Sequence, residues 1–322
     1  MRRLFAHSVT RRLLGALATL FGVSVLVFIM LRAIPGDQIS AGLGTEAAAL
    51  TPVQRAALEA YYGIDQPLLV QYFSWLGNLM TGNLGYSARS QASVLELTAS
   101  SLPVTLQLAV ISIALALVVG IPLGMLAASR PNSARDVLGQ SVSLAGLSIP
   151  AFLLATTLLT LLASSFGFNP NGRGYATFWE DPSLNLQQML LPSLVLGFGI
   201  AAPIIRTTRT AVLDIASNDF VRTARAKGVS TRRLQFRHIL RNALVPIATM
   251  TGLQFGYLLG GAVVVEQIFS LPGIGRQVLI GIQQKEYALV QSTVLVIALA
   301  FVIVNLLTDL VYRIIDPRVR AE

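Results

Sequence analysis

DFVRTARAKGVSTRRLQFRHILRN, residues 219–242, is the stretch whose reading decides the fold. Seven of its side chains are basic (Arg222, Arg225, Lys227, Arg232, Arg233, Arg237 and Arg241) and only Asp219 is acidic. Runs without a single charge stand on both sides, residues 182–205 before it and 242–265 after it. Dense positive charge between two apolar runs is the pattern of a cytoplasmic loop joining two membrane helices.

The rest of the chain supports that reading. Its 322 residues are 54% hydrophobic and 12% charged, with mean hydropathy +0.67. A soluble domain carries about 25% charged residues, so a membrane class is favoured at once. The net charge of +9 then fits cytoplasmic loops and anionic lipid rather than nucleic acid. A membrane helix needs roughly 20 apolar residues. Charge-free runs of that length lie between Arg12 and Arg32, Glu96 and Arg130, Asp136 and Arg173 (apolar over 138–165), Asp181 and Arg206, Arg241 and Glu266, and Glu286 and Asp309. The pattern predicts an all-α integral membrane protein with six transmembrane helices.

Residues 66–88 are also free of charge, but they contain Pro67, two Gln, two Asn and several Gly. They read as a surface helix followed by a loop. With six spans, eighteen of the 24 basic residues fall on one side, which places both termini in the cytoplasm. The first apolar run is longer than a signal-peptide core and lacks a small-x-small site beside it, so it reads as a retained span. The expected organisation is a cytoplasmic N-terminus and first span (1–32), an extracytoplasmic segment (33–97), a five-helix membrane domain (98–315) with a cytoplasmic loop at 214–245, and a cytoplasmic tail (316–322). Within the outer segment, Thr51 followed by Pro52 predicts the start of a helix.

Chemistry-bearing motifs are few. No phosphate-binding loop G-x-x-x-x-G-K-[ST], no H-E-x-x-H and no G-x-S-x-G occurs. Cysteine is absent, and the two histidines, His7 and His238, are far apart. The expectation is a non-catalytic chain with no catalytic residue, no metal and no cofactor of its own. Ion-coupled transporters keep ionisable groups within their spans. Here Glu266 and Asp309 stand at span ends, where interfacial solvation is the expected state. A secondary transporter that uses backbone carbonyls stays open as an alternative. Gly252, Gly256 and Gly260 have G-x-x-x-G spacing, suited to close packing in the bundle or to a second membrane subunit.

Within the loop, Ser217, Asn218 and Asp219 offer caps for a short helix, and Gly228 occupies its C′ position. Ser230 and Thr231 can start a second helix ending near Pro246. On it Arg233, Arg237 and Arg241 form a basic stripe beside an apolar one of Phe236, Ile239, Leu240 and Ala243. That second helix suits the membrane interface. The first suits docking into a cytoplasmic partner.

This stretch resembles the cytoplasmic loop of membrane subunits of ATP-binding-cassette importers, in the version of the peptide/opine/nickel branch. Ala224 and Gly228 match the general Glu-Ala-Ala-x-x-x-Gly pattern, while Arg222 and Thr223 replace Glu-Ala as in that branch. IPGDQ (34–38), YGIDQPLLVQY (62–72), GNLGYS (82–87), LPVTLQLA (102–109), SIPAFLLA (148–155), LPSLVLG (191–197), GGAVVVEQIFSLPGIGR (260–276) and DPRVR (316–320) agree with it. The chain is similar to the B-type permease of a dipeptide, oligopeptide or glutathione importer. The resemblance implies the type I importer fold, a multi-pass place in the bacterial inner membrane, and import of di- or oligopeptides. Glutathione, a nickel chelate, an opine or a glycoside are the alternatives. It implies a heterodimer with a homologous permease, two ATPase subunits carrying ATP and Mg, and an extracytoplasmic substrate-binding protein. It also implies that Asp219, Phe220, Arg222, Thr223, Ala224, Arg225, Lys227 and Gly228 form the helix that couples to the ATPase. Phe220 would be the apolar plug, and Arg222 and Arg225 polar contacts. Leu271, Pro272, Gly273 and Gly275 read as a gate, a contact with the binding protein, or simply a tight turn.

Overall fold

The computed structural model describes residues 2–34, 39–40, 44–87, 89–169, 172 and 174–315. Most of IPGDQ, the DPRVR motif and the 316–322 tail lie outside them. The chain divides into two compact units, one of Met1–Val104 with Pro272–Val302, the other of Thr105–Leu271 with Ile303–Glu322.

The first unit begins with the long helix α1 (Arg2–Ala33). Helix α2 (Pro52–Tyr62) starts where the sequence predicts. Thr51 accepts from the Gln54 amide, the Gln54 side chain accepts from the Thr51 amide, and Gly63 closes the helix at φ 65°. Helix α3 (Leu68–Met80) is the expected surface helix, and it is anchored. Its Tyr72 and Trp75 are buried with Val27, Phe28 and Leu31 of α1. The Ser24 and Tyr72 hydroxyls share a hydrogen bond of 2.8 Å. A two-residue hairpin of β1 (Tyr86–Ser87) and β2 (Ala92–Ser93) pairs Tyr86 with Ser93. Ser87 Oγ donates to both carboxylate oxygens of Glu286, tying the hairpin to a later part of the same unit.

The second unit holds most of α4 (Val94–Ser129), then α5 (Ala134–Ser148), α6 (Ala151–Phe166) and α7 (Pro182–Ala216). Asp181 caps α7 by accepting from the Ser183 and Leu184 amides, and Pro182 fills its first position. Two-thirds of the most apolar stretch of α7 is buried (67%), against 17% for α1, so α7 is the axis of its unit. Small residues let neighbouring helices approach it. A Cβ on Gly124 of α4 would stand 2.6 Å from Thr208 Cβ and 2.8 Å from the Ile205 carbonyl. One on Gly146 of α5 would stand 2.9 Å from the Phe198 carbonyl. Near the basic loop, Arg209 of α7 forks onto Asp136 of α5 at 2.6 and 2.7 Å. Asp136 also accepts from the Asn132 amide and from Gln140.

Three expectations are corrected. The run 138–165 is not one straight span: α5 and α6 meet at a 95° bend. Pro150 drives Ile149 out of the helical region to φ −86°, ψ 115°, and the ladder breaks there. The run 241–266 is helical as α10 (Arg241–Gly261) and α11 (Val263–Ile268), with a break at Ala262. Polar and small residues dilute it, including Asn242, Thr249, Thr251 and Gln254. Among the described residues, four helices are long and apolar enough to cross a membrane: the Arg12–Ala33 part of α1, α4, α7 and Tyr287–Thr308. The bent pair, taken as one span, raises this to five. Finally, α10 does not end at Pro246 but runs through it.

Candidate functional site: the basic loop and its helix

After α7 the chain turns at Ser217 and enters helix α8 (Asp219–Ala226). Asn218 holds the N-cap position as expected, but its side chain makes no capping bond. The start is held instead by the Val221 and Arg222 amides, which donate to the Asn218 carbonyl. Thr223 Oγ1 donates to the Asp219 carbonyl at 2.9 Å. The other end is a full Schellman turn. The Gly228 amide donates to the Arg225 carbonyl, the Val229 amide donates to the Ala224 carbonyl, and Gly228 takes φ 77°. Lys227 is the C-cap.

One apolar face of this amphipathic helix faces inward. Val221 is fully buried among Ala211 and Val212 of α7 and Leu234, Ile239, Ala243 and Ile247, with Ala224 and Val229 packed against the same cluster. The knob is therefore pinned to the end of α7 by Val221, a residue that charge-based reading passed over. The signal was available: Val221 and Ala224 stand one turn apart among the cations, a spacing that puts them on one face of a helix. Asp219, Phe220, Arg222, Thr223, Arg225, Lys227 and Gly228 are exposed. Phe220 shows 45% of its surface, an apolar side chain standing out among cations. The Arg222–Asp219 pair, 3.5 Å apart, is open to solvent and worth little by itself.

The second half of the loop differs from expectation. After one turn of α9 (Thr231–Arg233), residues Leu234–Leu240 form a π-helix that runs directly into α10. The i→i+5 pattern moves the buried stripe to Leu234, Ile239, Ala243 and Ile247, while Phe236 turns outward at 54% exposure.

The other singled-out residues fall in several settings. Leu271, Gly273 and Gly275 are buried and Pro272 is exposed. They follow a second Schellman turn, in which the Leu271 amide donates to the Glu266 carbonyl and Ser270 takes φ 53°. Gly273 then starts α12 (Ile274–Gln283). The geometry of the segment is that of a tight helix-to-helix turn. Glu266 is not solvated at a span end. It is fully buried and accepts from Thr105 Oγ1 at 2.5 Å. The side chain of Asp309 lies outside the described residues. Gly252 packs tightly, since a Cβ there would stand 2.4 Å from Thr308 Cγ2, whereas Gly260 faces open space. Among the described residues no cluster of acidic or histidine side chains could hold a metal ion.

A family model described as "binding-protein-dependent transport system inner membrane component" matches residues 120–321, and its N-terminal companion matches residues 5–109. The chain belongs to this family. The permease is 39% identical to the glutathione transport system permease protein GsiC of Escherichia coli strain K12, over 97% of this chain and 98% of that protein. Against GsiC of Salmonella paratyphi A the identity is 38%, with the same coverage. The permease is thus a multi-pass inner-membrane subunit of an ATP-binding-cassette importer, the class that the loop pattern resembles.

Proposed function

We propose that the permease moves small peptides, glutathione among them, through the bacterial inner membrane on energy supplied by partner ATPases. The observation that carries this reading is α8. It is a short helix closed at its C-terminal end by a Schellman turn, pinned by Val221 to the end of α7, and it exposes Phe220 beside Arg222 and Arg225. Such a helix transmits a push from a cytoplasmic partner into α7 without bending. On this reading Phe220 enters a groove on the ATPase and the arginines contact its rim. Both termini lie in the cytoplasm, and α10 with α11 completes a sixth crossing. A homologous permease forms the other half of the path. Two ATPases hold ATP and Mg, and an external binding protein delivers cargo. The similarity to GsiC over nearly the whole chain supports glutathione, itself a tripeptide, within the cargo class.

The test is reconstitution with the sister permease, both ATPases and the binding protein. Labelled glutathione, a dipeptide and a nickel chelate are offered in turn, and uptake is followed with and without ATP. Uptake of the first two only with ATP is expected. Gradient-driven uptake by the permease alone refutes the assembly, and uptake of only the chelate refutes the peptide class.

A further inference from the structure

The first unit contains a cavity of about 410 Å³ between the end of α1, α2, α3, the hairpin and Tyr287–Gln291. That volume is in the range of roughly 300–1,000 Å³ usual for small-ligand sites. Arg32 is the only charged residue among the described residues that line it. Its guanidinium is held firmly. Nε and Nη2 both donate to Gln71 Oε1, at 3.0 and 2.8 Å, and Nη1 donates to the Phe28 carbonyl. The Phe28 ring lies 3.4 Å beneath it. Gln71 is oriented in turn by donating Nε2 to the Gln66 and Ile64 carbonyls. Every one of these acceptors is neutral. Among the described residues no carboxylate pairs with Arg32, so its charge is positioned but not neutralised, and guanidinium donors remain unused.

A second observation points the same way. Gln291 also lines the cavity and is only 5% exposed, yet its Oε1 is buried without a hydrogen-bond partner. A buried amide oxygen left unsatisfied in a native fold calls for an explanation, such as a missing ligand. Gln291 lies one helical turn, about 6 Å, beyond Tyr287, whose ring centroid is 5.5 Å from the Arg32 guanidinium. Trp75 and Tyr61 add aromatic wall. A cation for an anion, an amide for an N–H group one turn beyond the tyrosine that flanks that cation, and aromatic wall beside both match the end of a peptide.

We infer that this cavity binds a free amino acid or short peptide, with the α-carboxylate on Arg32 and an N–H group on Gln291. That the bound peptide is also the cargo rests on the function proposed above. The topology proposed there opens the site to the outer face.

Trp75 reports on the cavity once the exposed Trp179 is removed as Trp179→Phe, since these are the only two tryptophans. The full chain in lipid nanodiscs is titrated with alanyl-alanine and with its C-terminal amide. A saturable change in emission is expected for the acid, and binding of the amide at least 10-fold weaker, the size of one charge-assisted hydrogen bond. Arg32→Gln gives the same loss. Because Arg32 also braces α1 against α3, Gln291→Met serves as a second variant that leaves the Arg32 contacts in place. It is expected to weaken binding about 3- to 10-fold. Acid and amide titrating alike, or no saturable change, overturns the site. So does a silent titration in which Arg32→Gln instead weakens capture of the binding protein, because the carboxylate would then be a side chain of that partner. The two readings fail separately. Dipeptide binding without ATP-driven uptake refutes the cargo and keeps the site, whereas uptake without binding here refutes the site alone.

Discussion

Replacing Gly228 separates the conformation of α8 from its mere presence, and so tests the docking role proposed for it. Gly228 sits at φ 77°, and a Cβ built there meets nothing within 4 Å. Steric crowding is therefore not at issue, and the cost of a side chain is the left-handed backbone alone, about 1–2 kcal/mol. For β-branched valine the conformation is a true outlier, so the turn opens. Opening it removes the bonds from Gly228 to Arg225 and from Val229 to Ala224, each worth about 0.5–1.5 kcal/mol net. Val229 then leaves the cluster around Val221. These losses shift the helix end by roughly 10-fold or more, and of the packing between α7 and α10 they remove only the edge contributed by Val229. Gly228→Val is expected to insert normally and to lose at least about 10-fold in ATP-driven uptake. Gly228→Asn, which tolerates the left-handed region, is expected to keep most of it. The assay is uptake into vesicles carrying the whole importer, normalised to permease in the membrane. Equal uptake by the Val and Asn variants refutes the coupling role of the turn, and equal loss from poor insertion refutes the claim that the cost is local.

Three other outcomes follow from the geometry. Asp136→Asn leaves Arg209 facing a neutral amide in place of a carboxylate and is expected to lower the thermal midpoint; adding Arg209→Gln restores part of the loss. Gly124→Ala forces a Cβ against Thr208 and the Ile205 carbonyl and costs about 1–3 kcal/mol, whereas Gly15→Ala, with nothing within 4 Å, leaves the midpoint unchanged. The Asp181 carboxyl is held below its usual range by the Leu184 amide and the Ser183 hydroxyl. A lowered folded value means the cap stabilises at and above the ordinary carboxylate range and is lost as pH falls through the folded value. Proteolysis near the start of α7 should rise in acid, and Asp181→Asn should flatten that dependence.

The spans were legible because membrane helices advertise themselves by lacking charge, and four of them stand where charge-free runs predicted. The break at Ile149 was not read, although SIPAF contains its cause, because apolar composition hides a proline bend. Glu266 was assigned to solvent because it borders a span. Its burial depends on Thr105, 161 residues away, and no local pattern reveals such a partner. Helix α8 was legible in its ends, since glycine at a left-handed position and Asn or Asp before a basic run are local signals. Its anchor was not, because one small apolar side chain in a basic run draws no attention until α7 is brought beneath it. The cavity was wholly hidden, as Arg32, Gln71 and Gln291 come from three distant helices.

The π-helix at Leu234–Leu240 has a mechanical consequence. A helix with one extra residue in a turn is a phase shifter. Downstream side chains are rotated by about 100° relative to an uninterrupted helix. The shift brings Leu234 and Ile239 of the π-segment into one stripe with Ala243 and Ile247 of α10, all seated against Val221. An insertion or deletion of one residue here would turn α10 out of that stripe, as a key cut one notch off no longer fits its lock.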